Sequence, residues 1–159
     1  MPPLPEKVNR LSSAIHEAGG RAMLNGGCVR DELMGIEPYD WDLEVYGIEP
    51  DELRRLLEDF VTELETDDGD RLSLDAVGEA FTVYRIGRDL DVSLPRRERK
   101  SGRGHRGFIV EGDPHMSFQE ACKRRDFTVN AILKDAITGE IVDPFGGQAD
   151  IGRKLLRMV

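Results

Sequence analysis

Apolar residues recur along this chain first at helical spacing and then in short runs and alternations. Val8, Leu11 and Ile15 fall three and four apart, the period of one helix face, and Gly19-Gly20 supplies the stop. Arg21 to Asn25 reads as a short strand running into Gly26-Gly27. A helical turn, Val29 to Met34, follows and stops at Gly35, and Trp41 to Tyr46 reads as a second strand. Pro50 suits the first turn of a third helix, with Asp51 and Glu52 near its positive end. The apolar face of that helix is Leu53, Leu56, Leu57 and Phe60. Two or three strands are expected next, at Val61 to Glu65, Phe81 to Ile86 and Leu90 to Leu94. Pro95 to Gly107 is too charged and glycine-rich to pack, and predicts a mobile loop. Ser117-Phe118-Gln119-Glu120 matches a capping box and opens a helix that carries Arg124, Arg125 and Asp126. Ile132 to Ile141 reads as a hairpin turning at Thr138-Gly139. Helices and strands mixed in this way predict an α/β or α+β domain with one sheet.

A chain of 159 residues suits a single domain, residues 1–159. No apolar run approaches a membrane span, and Met1 to Glu6 lacks the basic and apolar regions of a signal peptide. Cys28 and Cys122 form no metal-ligand pattern and read as reduced thiols of a cytoplasmic protein. The net charge of −9 argues against a surface built for bulk nucleic-acid binding. The charge is uneven, however. Arg96, Arg97, Arg99, Lys100, Arg103 and Arg106 face a single acid, Glu98, while Glu63 to Asp70 is acidic and reads as solvated loop.

Four segments carry candidate chemistry. Gly26-Gly27-Cys28-Val29-Arg30-Asp31 lies between a strand and a helix. Its glycines allow close backbone approach, the helix start offers free N–H groups to phosphate, and Arg30 adds a bidentate clamp. Such a turn is also an ordinary structural device, and alone it decides nothing. Asp40-Trp41-Asp42, if it is strand, points two carboxylates to one face. Side by side they repel unless a cation sits between them, and Mg²⁺ accepts one or two carboxylates plus substrate phosphates. Asp89-Leu90-Asp91 repeats the alternation. A third carboxylate there would complete a two-metal site, with Asp91 preferred and Asp89 and Glu98 behind it; a solvated strand edge explains each acid equally well. Arg124-Arg125-Asp126 combines a fork of donors with an acceptor, suited to phosphates and ribose hydroxyls. Asn130, one turn on, adds a polar contact.

Together these segments resemble the head domain of class II tRNA nucleotidyltransferases (CCA-adding enzymes) and bacterial poly(A) polymerases. The matching stretches are Gly26 to Gly35, Asp40-Trp41-Asp42, Glu98 to Gly102 with Gly107-Phe108, Arg124 to Ile132, and Asp143 to Gly147, in the family's order. The resemblance implies a polymerase-β-like nucleotidyltransferase fold with one mixed or antiparallel sheet flanked by helices. It implies that Asp40 and Asp42 hold catalytic Mg²⁺ and that Gly26, Gly27 and Arg30 cradle the triphosphate of ATP or CTP. Arg125, helped by Arg124 and Asp126, would position the nucleotide and favour ribose. The basic 95–107 segment would steer the RNA 3′ end or the triphosphate. The implied reaction is attack of a tRNA 3′-hydroxyl on the α-phosphate, with loss of pyrophosphate.

Family members continue into a helical neck with a Glu-Asp-x-x-Arg motif, then body and tail domains. This chain ends at Val159, so it is expected to be an excised domain or a minimal protein, needing those domains or a partner chain for base selection. Poly(A) or A-only addition shares every motif. A non-catalytic nucleotide- or RNA-binding module is disfavoured by the intact acid pair. A sugar-transferring enzyme is disfavoured by the Gly-Gly-Arg turn and by Arg124 to Asp126.

Overall fold

The computed structural model describes residues 3–67, 72–76, 82–100 and 108–159. Helix α1 (Glu6–Glu17) buries Val8, Leu11 and Ile15, as their spacing requires. Gly19, at φ 89°, takes the left-handed turn that a side chain would resist. Strand β1 (Arg21–Asn25) has the expected bounds. Helix α2 (Gly27–Leu33) begins two residues early and ends before Gly35, which also has positive φ. Strand β2 (Trp41–Tyr46) again matches.

Helix α3 (Pro50–Asp67) corrects the reading of Val61 to Glu65 as a strand. Leu53, Leu57, Phe60, Val61 and Leu64 are all buried at helical spacing, so the apolar stripe simply continues. Strand β3 (Leu72–Ala76) is an addition to the expected elements, whereas β4 (Thr82–Ile86) and β5 (Leu90–Ser93) lie where expected; Phe81 lies outside the described residues.

The supposed loop after Pro95 begins as strand β6 (Arg96–Lys100), paired antiparallel with β7 (Phe108–Gly112) as a separate ribbon. A two-stranded ribbon lying outside the main sheet does not need an alternating apolar face, so the run of charges does not forbid it. The remainder of that segment, 101–107, lies outside the described residues.

Helix α4 (Phe118–Lys123) opens on Ser117, whose Oγ accepts from the Glu120 N–H at 3.1 Å. The Glu120 carboxylate turns to Arg97 instead of closing the box. Ser117→Ala is expected to cost about 1 kcal/mol, read as a lower denaturant midpoint with an unchanged slope. The helix stops at Lys123, so Arg124, Arg125 and Asp126 lie beyond its end and not on it as expected. A 3-10 turn, Thr128–Asn130, follows, then the hairpin of β8 (Leu133–Asp135) and β9 (Ile141–Val142), with Gly139 at φ 77° in its turn. Helix α5 (Gly147–Gly152) is capped by the Asp143 carboxylate, which accepts from the N–H groups of Gly147 at 2.7 Å and Gln148 at 2.9 Å. Asp150, fully buried, accepts from Thr128 Oγ1 at 2.5 Å and pairs with Arg157 at 3.1 Å, docking α5 against the 3-10 turn.

The main sheet runs β3-β4-β5-β2-β1-β8-β9. Among the described residues only β2 and β5 pair in parallel; the other neighbours are antiparallel, which makes the expected sheet a mixed one. Alternation then sorts side chains by face. Leu24, Leu43, Val45, Leu90 and Val92 join the residues of α1 and α3 in the larger core. Met23, Tyr46 and Leu133 face the other way, against Ala121 and Cys122 of α4. Among the described residues, no helix is long and apolar enough to cross a membrane.

Candidate active site

The face opposite the large core carries the acids. Even-numbered residues of β2 point there, so Asp42 and Glu44 stand on the strand that buries Leu43 and Val45 behind them. The parallel register sets Asp42 directly beside Asp91 of β5. Together with Asn25, Ser93, Arg96, Arg124, Arg125 and Asp126, these residues line a cleft of about 450 Å³. Sheet acids thus form its floor, and the segment after α4 forms its basic wall.

Asp42 is the strained member of this group. Burial pushes its carboxyl above the usual carboxylate range, and the neighbouring Asp91 charge pushes it further, with Arg125 opposing. Two adjacent acids of which one is desolvated form a site that wants a cation. Asp91 already has a partner, since Arg85 Nε, opposite it on β4, donates to it at 3.1 Å.

Asp40 does not lie on β2. It occupies the exposed bend just before the strand, and its charge still raises the Asp42 carboxyl. Asp89 leaves the site altogether, because it sits in the β4–β5 turn and pairs with Lys7 at 2.7 Å. Glu98, on the ribbon, faces Arg124 at 3.5 Å.

Among the described residues, no three His, Cys, Asp or Glu side chains form a ready-made ion cage. The hard oxygen donors of Asp42, Asp91 and the nearby Asp40 suit Mg²⁺, which takes one or two protein carboxylates and completes its shell with water and substrate phosphates, and the Asp42–Asp91 register is the observation that favours a cation there.

The glycine turn converges on the same place. Gly26 has φ 69° and ψ −138°, a backbone region nearly closed to other residues. A Cβ built on it would lie 3.8 Å from Asp42 Oδ2. Arg30 is not an idle clamp: its Nε and Nη2 donate to Asp31 Oδ1 at 3.0 and 2.9 Å, and its Nη1 donates to Asn130 Oδ1 at 2.9 Å. Asn130 Nδ2 donates in turn to Asp126 Oδ1 at 3.3 Å. Gly26, Gly27, Arg30 and Asn130 stand outside the cleft lining and reach it through Asp42 and Asp126.

The basic wall is crowded. Burial and the nearby Arg96 both push the Arg124 guanidinium down. Packed guanidiniums of this kind are relieved by a polyanion. Arg125 reaches down to the floor, its Nη2 donating to Glu44 Oε2 at 3.2 Å. Glu44, Asn25, Ser93 and Arg85 were missed by the sequence reading. Period two places Glu44 on the Asp42 face, but nothing in the sequence says that Arg125 covers it.

The family described as Poly A polymerase head domain matches residues 22–157. The Multifunctional CCA protein of Xanthomonas campestris pv. campestris is 39% identical over 137 residues, which are 86% of this chain and 30% of that protein. The protein of the same name from Stenotrophomonas maltophilia is 40% identical over 139 residues, again 86% and 30%. The chain therefore spans under a third of the length of these curated relatives. Among solved structures, the Bacillus stearothermophilus CCA-adding enzyme in complex with CTP superposes with a TM-score of 0.65 at 25% identity, covering 98% of this chain and 34% of that one. A tRNA nucleotidyltransferase complexed with a primer tRNA and an incoming ATP analog gives a TM-score of 0.60 at 28% identity, covering 92% and 38%.

Proposed function

We propose that this chain, which belongs to the family of the Poly A polymerase head domain, is the catalytic head of an RNA nucleotidyltransferase that extends the 3′ end of tRNA with CTP and ATP. The observation that carries this reading is the pairing of Asp42 with Asp91 beneath Arg124 and Arg125, a cation-seeking floor under an anion-seeking wall. Likeness to relatives named Multifunctional CCA protein favours CCA addition over poly(A) or A-only addition.

In this reading Asp42 and Asp40, with Asp91 beside them, hold Mg²⁺. The ion supplies charge neutralisation and makes the attacking 3′-hydroxyl more acidic. Arg125 and Arg124 bind triphosphate oxygens and fix the α-phosphate for in-line attack. Asp126, with Asn130 behind it, faces the ribose. Gly26 and Gly27 let the backbone come close where a side chain would intrude, and Arg30, braced by Asn130, closes the phosphate side. The protein groups bind, orient and screen charge, which is the main protein contribution to phosphoryl transfer. We place the protein in the cytoplasm, where free buried thiols such as Cys28 and Cys122 stay reduced.

The direct test is incubation with tRNA lacking its 3′ CCA, Mg²⁺ and single or mixed triphosphates, followed by product sequencing. Addition of C, C and A supports the reading, whereas A alone selects the poly(A) or A-adding alternative. Asp40→Ala is expected to slow pyrophosphate release roughly 100-fold, about 2.7 kcal/mol of barrier. Equal rates would remove Asp40 from the site.

A further inference from the structure

Glu44 is an unexpected acid. It stands two residues beyond Asp42 on the same strand face, is only 6% exposed, and is not needed to complete the Asp42–Asp91 pair. Both of its oxygens are engaged. Oε2 accepts from Arg125 Nη2 at 3.2 Å, and Oε1 accepts a short hydrogen bond from the Tyr46 hydroxyl. A carboxylate with both oxygens occupied in this way is a poor metal ligand and a good anchor.

The anchor closes a ring. The Tyr46 ring meets Phe118 of α4 edge-on, with centroids 4.7 Å apart at 81°. Phe118 begins the helix whose end delivers Arg125. Strand β2 thus grips α4 at both ends, by an aromatic contact at the start and by an ion pair just past its last residue. Arg125 itself follows the helix on an irregular bend, where a long side chain has many rotamers. The Glu44 bond ties one corner of its planar fork and leaves the other donors for a ligand.

We propose that Glu44, locked by Tyr46, is the positioning residue that aims Arg125 at the bound nucleotide's phosphates. The strand that presents Asp42 would then also set the triphosphate clamp, so that the metal site and the clamp share one frame. The inference rests on the role given above to Arg125.

The test is steady-state kinetics on the full protein with tRNA acceptor, Mg²⁺ and varied CTP or ATP. Glu44→Gln keeps the shape but removes the charge, and Tyr46→Phe keeps the ring but removes the hydroxyl. Each is expected to raise KM for the triphosphate, by roughly 10-fold for Glu44→Gln and roughly 3-fold for Tyr46→Phe, with kcat changed less than KM. Arg125→Lys, which retains charge but loses the fork, is expected to raise KM at least as much. The double variant Glu44→Gln/Arg125→Lys should be no worse than Arg125→Lys alone, because the anchor has nothing left to aim. Additive losses, or an unchanged KM in Glu44→Gln beside a raised one in Arg125→Lys, would overturn the anchoring role and leave the proposed reaction standing. An unchanged KM in Arg125→Lys would overturn both the anchor and the nucleotide role of Arg125. A lower melting temperature with unchanged KM would make Glu44 merely structural.

Discussion

Asp42→Asn is expected to abolish nucleotide transfer while raising the melting temperature of the metal-free protein. Asparagine keeps the size and polarity of the side chain but cannot carry the charge that holds Mg²⁺. The loss should reach at least roughly 1,000-fold in single-turnover transfer, about 4 kcal/mol of barrier, in keeping with the several kcal/mol that a metal's charge contributes. The stability gain follows from linkage. Burial and the adjacent Asp91 raise the folded-state pKa of Asp42. A carboxyl raised in this way binds its proton more tightly when folded. The stability it contributes is present below the unfolded pKa and is lost as pH climbs through the folded one. At neutral pH the wild-type protein has already lost it, and the uncharged amide does not. Calorimetry in chelator at neutral pH should show the variant melting higher, with the difference narrowing as pH falls toward the carboxylate range. Transfer within 10-fold of wild type, or a variant that melts lower at neutral pH, would contradict the assignment of Asp42 as the desolvated metal ligand.

Gly147→Ala should be the most damaging small substitution outside the cleft. A Cβ at this position would lie 2.1 Å from the Thr128 carbonyl oxygen and 2.8 Å from the Ile132 side chain. The first contact is with backbone, so no rotamer change relieves it. Helix α5 must move away from the 3-10 turn, breaking the Thr128–Asp150 bond and leaving a fully buried carboxylate poorly satisfied. A cost of about 3 kcal/mol is expected, or roughly 6–12 °C in melting temperature for a domain of this size. Gly152→Ala, at the end of the same helix with nothing within 4 Å, is the control and should be neutral or slightly stabilising. Asn130 ends the turn that Gly147 supports, so transfer should fall with stability. Two variants of equal stability would show that the close packing does not hold.

Much of the frame was legible in the residues. β1, β2 and the Thr138-Gly139 hairpin follow from short apolar runs bounded by glycine, and the Ser117 cap from one hydroxyl three residues before Glu120. Two kinds of segment resisted. Val61 to Glu65 is short and partly β-branched, and local pattern alone does not separate a strand from the last turns of a helix; burial of Val61 and Leu64 against the sheet decided it. The Arg96–Lys100 strand has no apolar face to read, because its partner is a ribbon and not the main core. In the site, Asp42 and Asp91 were visible as alternating acids, yet only the parallel register joins them. Asp40 falls one residue before the strand's start, where the period-two rule does not apply. Glu44 and Tyr46 were unreadable as a pair with Arg125, since that contact depends on how α4 lies across the sheet.

The parallel seam between β2 and β5 also bears on how the protein assembles. Its two strands are far apart in the chain, and strand faces alternate every residue. A slip of one place would turn Asp91 and Ser93 toward α1 and α3 and carry Leu90 and Val92 into the polar cleft. An ionised carboxylate driven into that greasy layer is among the costliest errors a sheet can make. The acid assigned here to the chemistry therefore also proofreads the weave, because a misthreaded chain is penalised by the same charge that a correctly threaded one turns toward its substrate.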